Sequence, residues 1–350
     1  MISKFATNGQ APLARPSTYI FTDGERPSTA TNNWLQHNQY AMNAAQGVDL
    51  VDQMLKSLAP ITISSANVSS IAYSPLLKLL CAVGSHPTDY VSTSPDGENW
   101  TLQTGAEANS WNHVVWAGGS INLFVALASN GTNRIMTSPD GVNWTSASAS
   151  QANLWVGLAW SEYLNLLVAV AADGTNRVMT SPDGINWTNR TAASASAWAR
   201  VTWSSHLKLF VATTSGAGPV AMYSYDGVTW HLSSETAAGT NRFSLAWSDY
   251  FKLFFHEYST TDAWISGDGK TWQVLSTPDN CETILPIDAL GCLLLSDGSS
   301  GNIYVTSDLE TFQLLVAPAG VPSLYRMYYT EELNRIFILS LGSTDALASF

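Results

Sequence analysis

Charge is scarce in this chain. Only 12% of its 350 residues are Asp, Glu, Lys or Arg, about half the share of an ordinary soluble domain. Its polar surface must therefore be built mostly from Ser, Thr, Asn and Gly. The charge present is skewed, with 27 acidic against 15 basic side chains and a net charge of −12. That balance argues against a nucleic-acid partner, because phosphate backbones call for a basic face. No apolar run approaches the roughly 18 residues needed to cross a bilayer, so membrane insertion is not expected. The opening residues, MISKFATNGQAPLARP, lack the apolar core of a secretory leader. Three cysteines, Cys81, Cys281 and Cys292, show no metal-ligand spacing, and the histidines form no HxH or HxxxH pair. Neither a metal nor another cofactor is expected. Cys81 and Cys292 fall in apolar strand-like runs and read as buried thiols, while a Cys281–Cys292 bridge remains open.

Repetition is what the chain has in abundance. SPDGENW at Ser94–Trp100 returns as SPDGVNW at Ser138–Trp144 and SPDGINW at Ser181–Trp187. Softer copies follow at Ser224–Trp230 and Ser266–Trp272, then a decayed one at Thr306–Phe312. The terminal aromatics lie 44, 43, 43, 42 and 40 residues apart, and a fixed period of that length means a repeat architecture. Within a unit, short runs rich in Val, Leu, Ile, Thr and aromatics are split by Gly, Asn and Ser, which is strand chemistry. Pro presets φ at the first central turn position, Asp tolerates the second, and Gly takes the positive φ that follows. The turn thus joins the third and fourth strands of a unit. Four antiparallel strands per 40–45 residues make a β-propeller blade.

Tyr73, Trp116, Trp160, Trp203, Trp247 and Tyr328 each close a first strand, and a weaker blade near Ile287–Ser296 fills the remaining gap. The expectation is an all-β, seven-bladed propeller over residues 60–350, preceded by an arm and helix over residues 1–59. The last blade lacks its fourth strand at the C-terminal end. Ile61-Thr-Ile-Ser-Ser occupies the place of that strand near the N-terminus, so residues 61–65 should pair with 345–349 and close the ring, protecting its edges.

The repeated turn resembles that of the Asp-box propellers (sialidase-type and related repeat families), whose box runs Ser-x-Asp-x-Gly-x-Thr-Trp. Here Gly directly follows Asp, one residue early. The resemblance spans about residues 61–350 and implies the fold without fixing an activity, since the box is a structural hairpin away from the ligand face. Asp96, Asp140, Asp183, Asp226 and Asp268 accordingly read as turn caps.

The first sixty residues differ. Residues 1–32 are rich in Pro, Thr, Asn and Gly, as an arm that orders against a partner would be. A helical pattern then runs to Pro60. Trp34, Ala41, Val48 and Leu55 fall seven apart, with His37, Ala44, Val51 and Leu58 three later, the seam of a coiled coil. A homo-oligomer, a trimer by preference, is expected from Trp34, Ala41, Ala44, Val48, Val51, Leu55 and Leu58. The other reading lays one amphipathic helix on its own propeller. The stretch PSTYIFTDGERPSTATNNWLQHNQYAMNAAQG resembles the N-terminal attachment regions of bacteriophage tail proteins. That resemblance implies a virion protein, made in the host cytoplasm, that docks on other tail proteins through residues 1–58 and projects the propeller outward.

A ligand site is expected where inter-blade connections and second-to-third-strand loops share one face. Trp111, Trp155, Trp198 and Phe243 open successive inner strands there. Gly-Thr-Asn-Arg recurs on the same face and supplies Asn133, Arg134, Asn176, Arg177, Asn241 and Arg242. Indole packs on the apolar face of a sugar while Asn and Arg reach its hydroxyls or carboxylates. Alternatively the tryptophans wedge neighbouring blades and the arginines close loops onto carbonyls. The favoured function is tail-fibre attachment to a host-surface glycan without chemistry, against a structural collar or tail-tip role and a sialidase-like hydrolase. A hydrolase needs paired carboxylates or a Tyr nucleophile. Glu107, Asp173, Glu235, Asp262 and Glu282 share the face, but no motif brings two together, so an enzyme is not expected.

Overall fold

The computed structural model describes residues 46–56, 59–63, 67–85, 91–237, 244–259, 262–278, 281–297, 301–315, 324–340 and 345–348. Seven four-stranded antiparallel sheets follow one another as the blades of a propeller. Blade 2 shows the pattern with Trp111–Ala117, Leu123–Ala128, Ile135–Ser138 and Thr145–Ala147. The inner strands of the other blades are Asn67–Ser74, Trp155–Ser161, Trp198–Ser204, Leu245–Ser248, Thr283–Ile287 and Leu324–Thr330. Second strands such as LFVALA and LLVAVA are apolar throughout because each is covered on both faces by neighbouring blades. Outer strands are short and half exposed. That keeps the unpaired edges brief.

Closure occurs as the sequence implies, with the strand starting two residues earlier than expected. Ala59–Thr62 pairs antiparallel with Asp345–Ala348, Ala59 opposite Ala348 and Thr62 opposite Asp345. Blade 7 is thereby built from both ends of the chain, and it packs on blade 1 through Phe337, Leu339, Ile71, Leu80 and Ala82. Trp100 meets Phe337 edge-on at 6.2 Å, and Arg335 is ion-paired with Glu98 across the same seam. In blade 7 the residue in register with Trp116 is Tyr329 rather than Tyr328. Tyr329 pairs with Ile336 as Trp116 pairs with Phe124.

Two faces follow from strand direction. Inter-blade connections and second-to-third-strand loops lie on one, here the loop face. First-to-second and third-to-fourth turns lie on the other, the turn face. Every third-to-fourth turn uses the same clamp. In blade 2, Ser138 Oγ accepts from Gly141 N at 2.8 Å and donates to Asp140 Oδ1 at 3.0 Å. Asp140 Oδ1 then accepts the backbone N–H groups of Val142 and Asn143. Glycine is required at Gly141, where φ is 76° and a Cβ would crowd Leu79 and Thr93 of blade 1. The decayed copy keeps the left-handed turn with Leu309 at φ 61°.

The turn aromatics are wedges between blades. Trp144 lies in the core between blades 1 and 2, Trp187 between 2 and 3, and Trp230 between 3 and 4. Trp272 and Phe312 continue the series, and Trp100 closes it against blade 7. Blade 7 has no such turn. The helix at 46–56 fills its place: Val51, Met54 and Leu55 enter the core between blades 6 and 7, against Cys292, Leu294 and Ile338. This corrects the coiled-coil expectation for Val48, Val51 and Leu55, whose apolar stripe is spent on the chain's own ring. Gly47 is required by the contact, since a Cβ there would fall 1.8 Å from the Leu290 carbonyl oxygen. Trp34, Ala41, Ala44 and Leu58 lie outside the described residues.

Candidate ligand-binding site

On the loop face, the residues expected to meet a ligand are instead committed to the scaffold. Trp111, Trp155 and Trp198 are 0% exposed, and their indole N–H groups donate to the carbonyls of Glu107, Gln151 and Ser194. No indole face remains for a sugar. Arg134 donates to the carbonyls of Gly131, Ser129 and Asn153. Arg177 does the same to Gly174 and Ala172. Asn133 donates to Glu107 and accepts from Ser148, and its carbonyl accepts from Asn109. Asn176 likewise receives Asn153. The Gly-Thr-Asn-Arg loops are thus tied to the preceding inter-blade connection. Asn109 and Asn153, buried at 5% and 7% exposure, are the partners that sequence reasoning missed. Asn241, Arg242 and Phe243 lie outside the described residues.

Near the centre of the ring two guanidiniums hold inner strands together. A bulge after Trp198 and another after Leu324 place Arg200 and Arg326. Arg200 donates to Val156 O at 3.1 Å and Ala199 O at 2.8 Å. Arg326, from blade 7, reaches Ser69 O of blade 1 and Asn112 O of blade 2. His113 stands in their field with Nδ1 buried. Burial first, then Arg200 and Arg326, push its pKa down to about 3, so this imidazole is neutral. Among the described residues no group of three or more His, Cys, Asp or Glu could hold a metal. All three cysteines are free and buried.

The turn face carries the accessible aromatics. Tyr163, 67% exposed, stacks on Trp203 at 6.5 Å and 16°, with Lys208 Nζ 4.6 Å above its ring. His206 stacks on Trp247 at 6.2 Å. In each pair the turn of one blade covers the aromatic that ends the next inner strand. At the seam between blades 7 and 1 the corresponding turn position is Glu332, and a cleft of about 230 Å³ opens there. Ile71, Ala72, Tyr73, Tyr328, Thr330, Glu331 and Glu332 line it. Tyr73 and Tyr328 pack on this seam, while Tyr329, also at its edge, packs against the core between blades 6 and 7. Tyr328 Oη donates to Ser69 O at 3.2 Å and Tyr329 Oη to Asn334 Oδ1 at 2.9 Å, which fixes both rings. Burial, then Glu332, raises the Tyr73 phenol; burial, then Glu331, raises that of Tyr329. Glu332 therefore acts on the Tyr73 phenol at this seam, and Glu331 on Tyr329 behind it.

No family model and no curated protein matches the sequence. Solved structures do match the fold. A streptogramin B lyase structure superposes with a TM-score of 0.69 at 9% identity, covering 83% of this chain and 97% of that one. Virginiamycin B lyase from Staphylococcus aureus gives 0.67 at 10% identity, over 84% and 99%. YCF48 bound to D1 peptide gives 0.64 at 16% identity, over 84% and 94%. The chain is similar to these propellers in architecture, and they include both a lyase and a peptide-bound protein.

Proposed function

We propose that this chain is a binding protein rather than a catalyst, a tail component of a virion whose propeller attaches to host-surface glycan. The observation that carries the binding part is the seam cleft. It is concave, lined by Tyr73 and Tyr328 and bordered by two carboxylates, on a face that also exposes Tyr163. Aromatic faces with a few convergent polar groups are what sugar recognition uses. The repeated carboxylates favour no hydrolase. Backbone N–H groups hold Asp140 and Asp183 ionised at about 2, and a general acid needs the opposite shift. The virion part rests on the likeness of the N-terminal stretch to tail attachment regions. A second reading has the propeller gripping an extended segment of another virion protein, as the peptide-bound neighbour suggests.

The test is a glycan array and a pull-down on host polysaccharide with the full chain, followed by assay for released reducing ends. Retained binding without new reducing ends is expected, and Tyr73→Ala with Tyr328→Ala should weaken it about tenfold, as loss of stacking area does. Absence of any glycan binding, or turnover of the polysaccharide, would overturn the proposal.

A further inference from the structure

The geometry points to a more specific ligand for the seam cleft: a protonated amino sugar, its ammonium held by Glu331 and Glu332 and its ring laid on the tyrosine walls. This rests on the glycan-binding reading and narrows it. Three observations lead there. The first is charge. Two adjacent carboxylates border a cleft of about 230 Å³, room on the scale of one hexose, in a protein of net charge −12 that draws cations toward it.

The second is the fit of an ammonium to tyrosine on this molecule's own surface. Lys208 Nζ sits 4.6 Å over Tyr163, and Lys270 Nζ lies 5.6 Å and 5.4 Å from Tyr223 and Tyr225. At the seam Tyr73 and Tyr328 present the same ring chemistry with no lysine among the lining residues.

The third is Thr330. Its counterparts Ser74, Ser161, Ser204 and Ser248 each accept the backbone N–H of the residue three further on. Thr330 stands at the same register position but is 7% exposed, lines the cleft, and has no partner for Oγ1 among the described residues. A buried hydroxyl left unmatched costs stability unless a ligand meets it. A sugar hydroxyl beside the ammonium would do so.

The experiment titrates the full chain with glucosamine, N-acetylglucosamine, glucose and n-butylammonium, followed by calorimetry or ligand-observed NMR. Glucosamine should bind at least about tenfold more tightly than the N-acetylated or neutral sugar, the usual worth of one charge-assisted contact. Glu332→Gln and Thr330→Val should each lower its affinity, while Tyr163→Ala, away from the cleft, leaves it unchanged. Equal affinity for glucose, or indifference to Glu332→Gln, would overturn the inference. Butylammonium binding as well as glucosamine would overturn it too, in favour of a lysine side chain. If neutral glycans bind and resist the seam variants, the inference fails while the attachment reading stands. If glucosamine binds at the seam but no host polysaccharide does, the attachment reading is the one that falls.

Discussion

At the scale of single residues, the same side-chain types do opposite work depending on which end of the inner strand they occupy. Trp155 opens its strand and is sealed; Trp203 ends its strand and stacks against an exposed tyrosine. Composition and spacing treat the two alike, and only the packing between blades distinguishes them. The polar residues of the inner strands have a measurable signature. His113 is neutral in the folded ring at about 3, held there by burial and then by Arg200 and Arg326, whereas a free imidazole titrates near 6.5. Between those values the unfolded chain carries the extra proton, so stability is full above about pH 6.5 and is lost as pH falls toward 3. The turn carboxylates Asp140 and Asp183, held at about 2, add their own loss only below about pH 4. Urea midpoints should therefore decline from pH 7 to pH 4.5, and His113→Gln should flatten that decline. An unchanged slope in the variant would place the proton elsewhere.

At the scale of elements, the turn and the helix turn out to be interchangeable plugs. Six blades seal their junction with the preceding blade by a turn aromatic, and the seventh uses Val51, Met54 and Leu55 instead. The four-strand unit was legible because turn chemistry and strand composition are local. The role of the helix was not, because a stripe at heptad spacing fits a partner helix and a gap between sheets equally well. Which one wins depends on the missing seventh aromatic, a fact of the closed ring. Leu55→Ala should cost about 2–5 kcal/mol through the cavity it leaves. Lys56→Ala on the exposed side should stay within about 0.5 kcal/mol. Thermal unfolding at several protein concentrations checks both. A Leu55→Ala penalty that grows on dilution would mean the stripe also serves an oligomer.

At the scale of the whole molecule, the chain reads as a ring whose clasp and plug are contiguous. The helix at 46–56 seals blade 7 against blade 6, and Ala59–Thr62 then completes the sheet of blade 7. The seam cleft lies on the far side of that blade, where blade 7 meets blade 1. One segment of under twenty residues thus governs both ring closure and the position of Tyr328, Tyr329 and the two glutamates. The pairing was readable from sequence because Ile61-Thr-Ile-Ser-Ser occupies the slot of a missing strand, though its exact register depends on how the helix docks. Deleting residues 1–45 leaves every described contact in place and should preserve a single cooperative unfolding transition. Deleting residues 1–63 removes helix and clasp together, exposes Asp345–Ala348 as an unpaired edge, and should yield a chain that aggregates or melts in two steps. Calorimetry with light scattering separates these outcomes. A 1–63 deletion that melts once at the parent temperature would show that six intact blades hold the ring without its clasp.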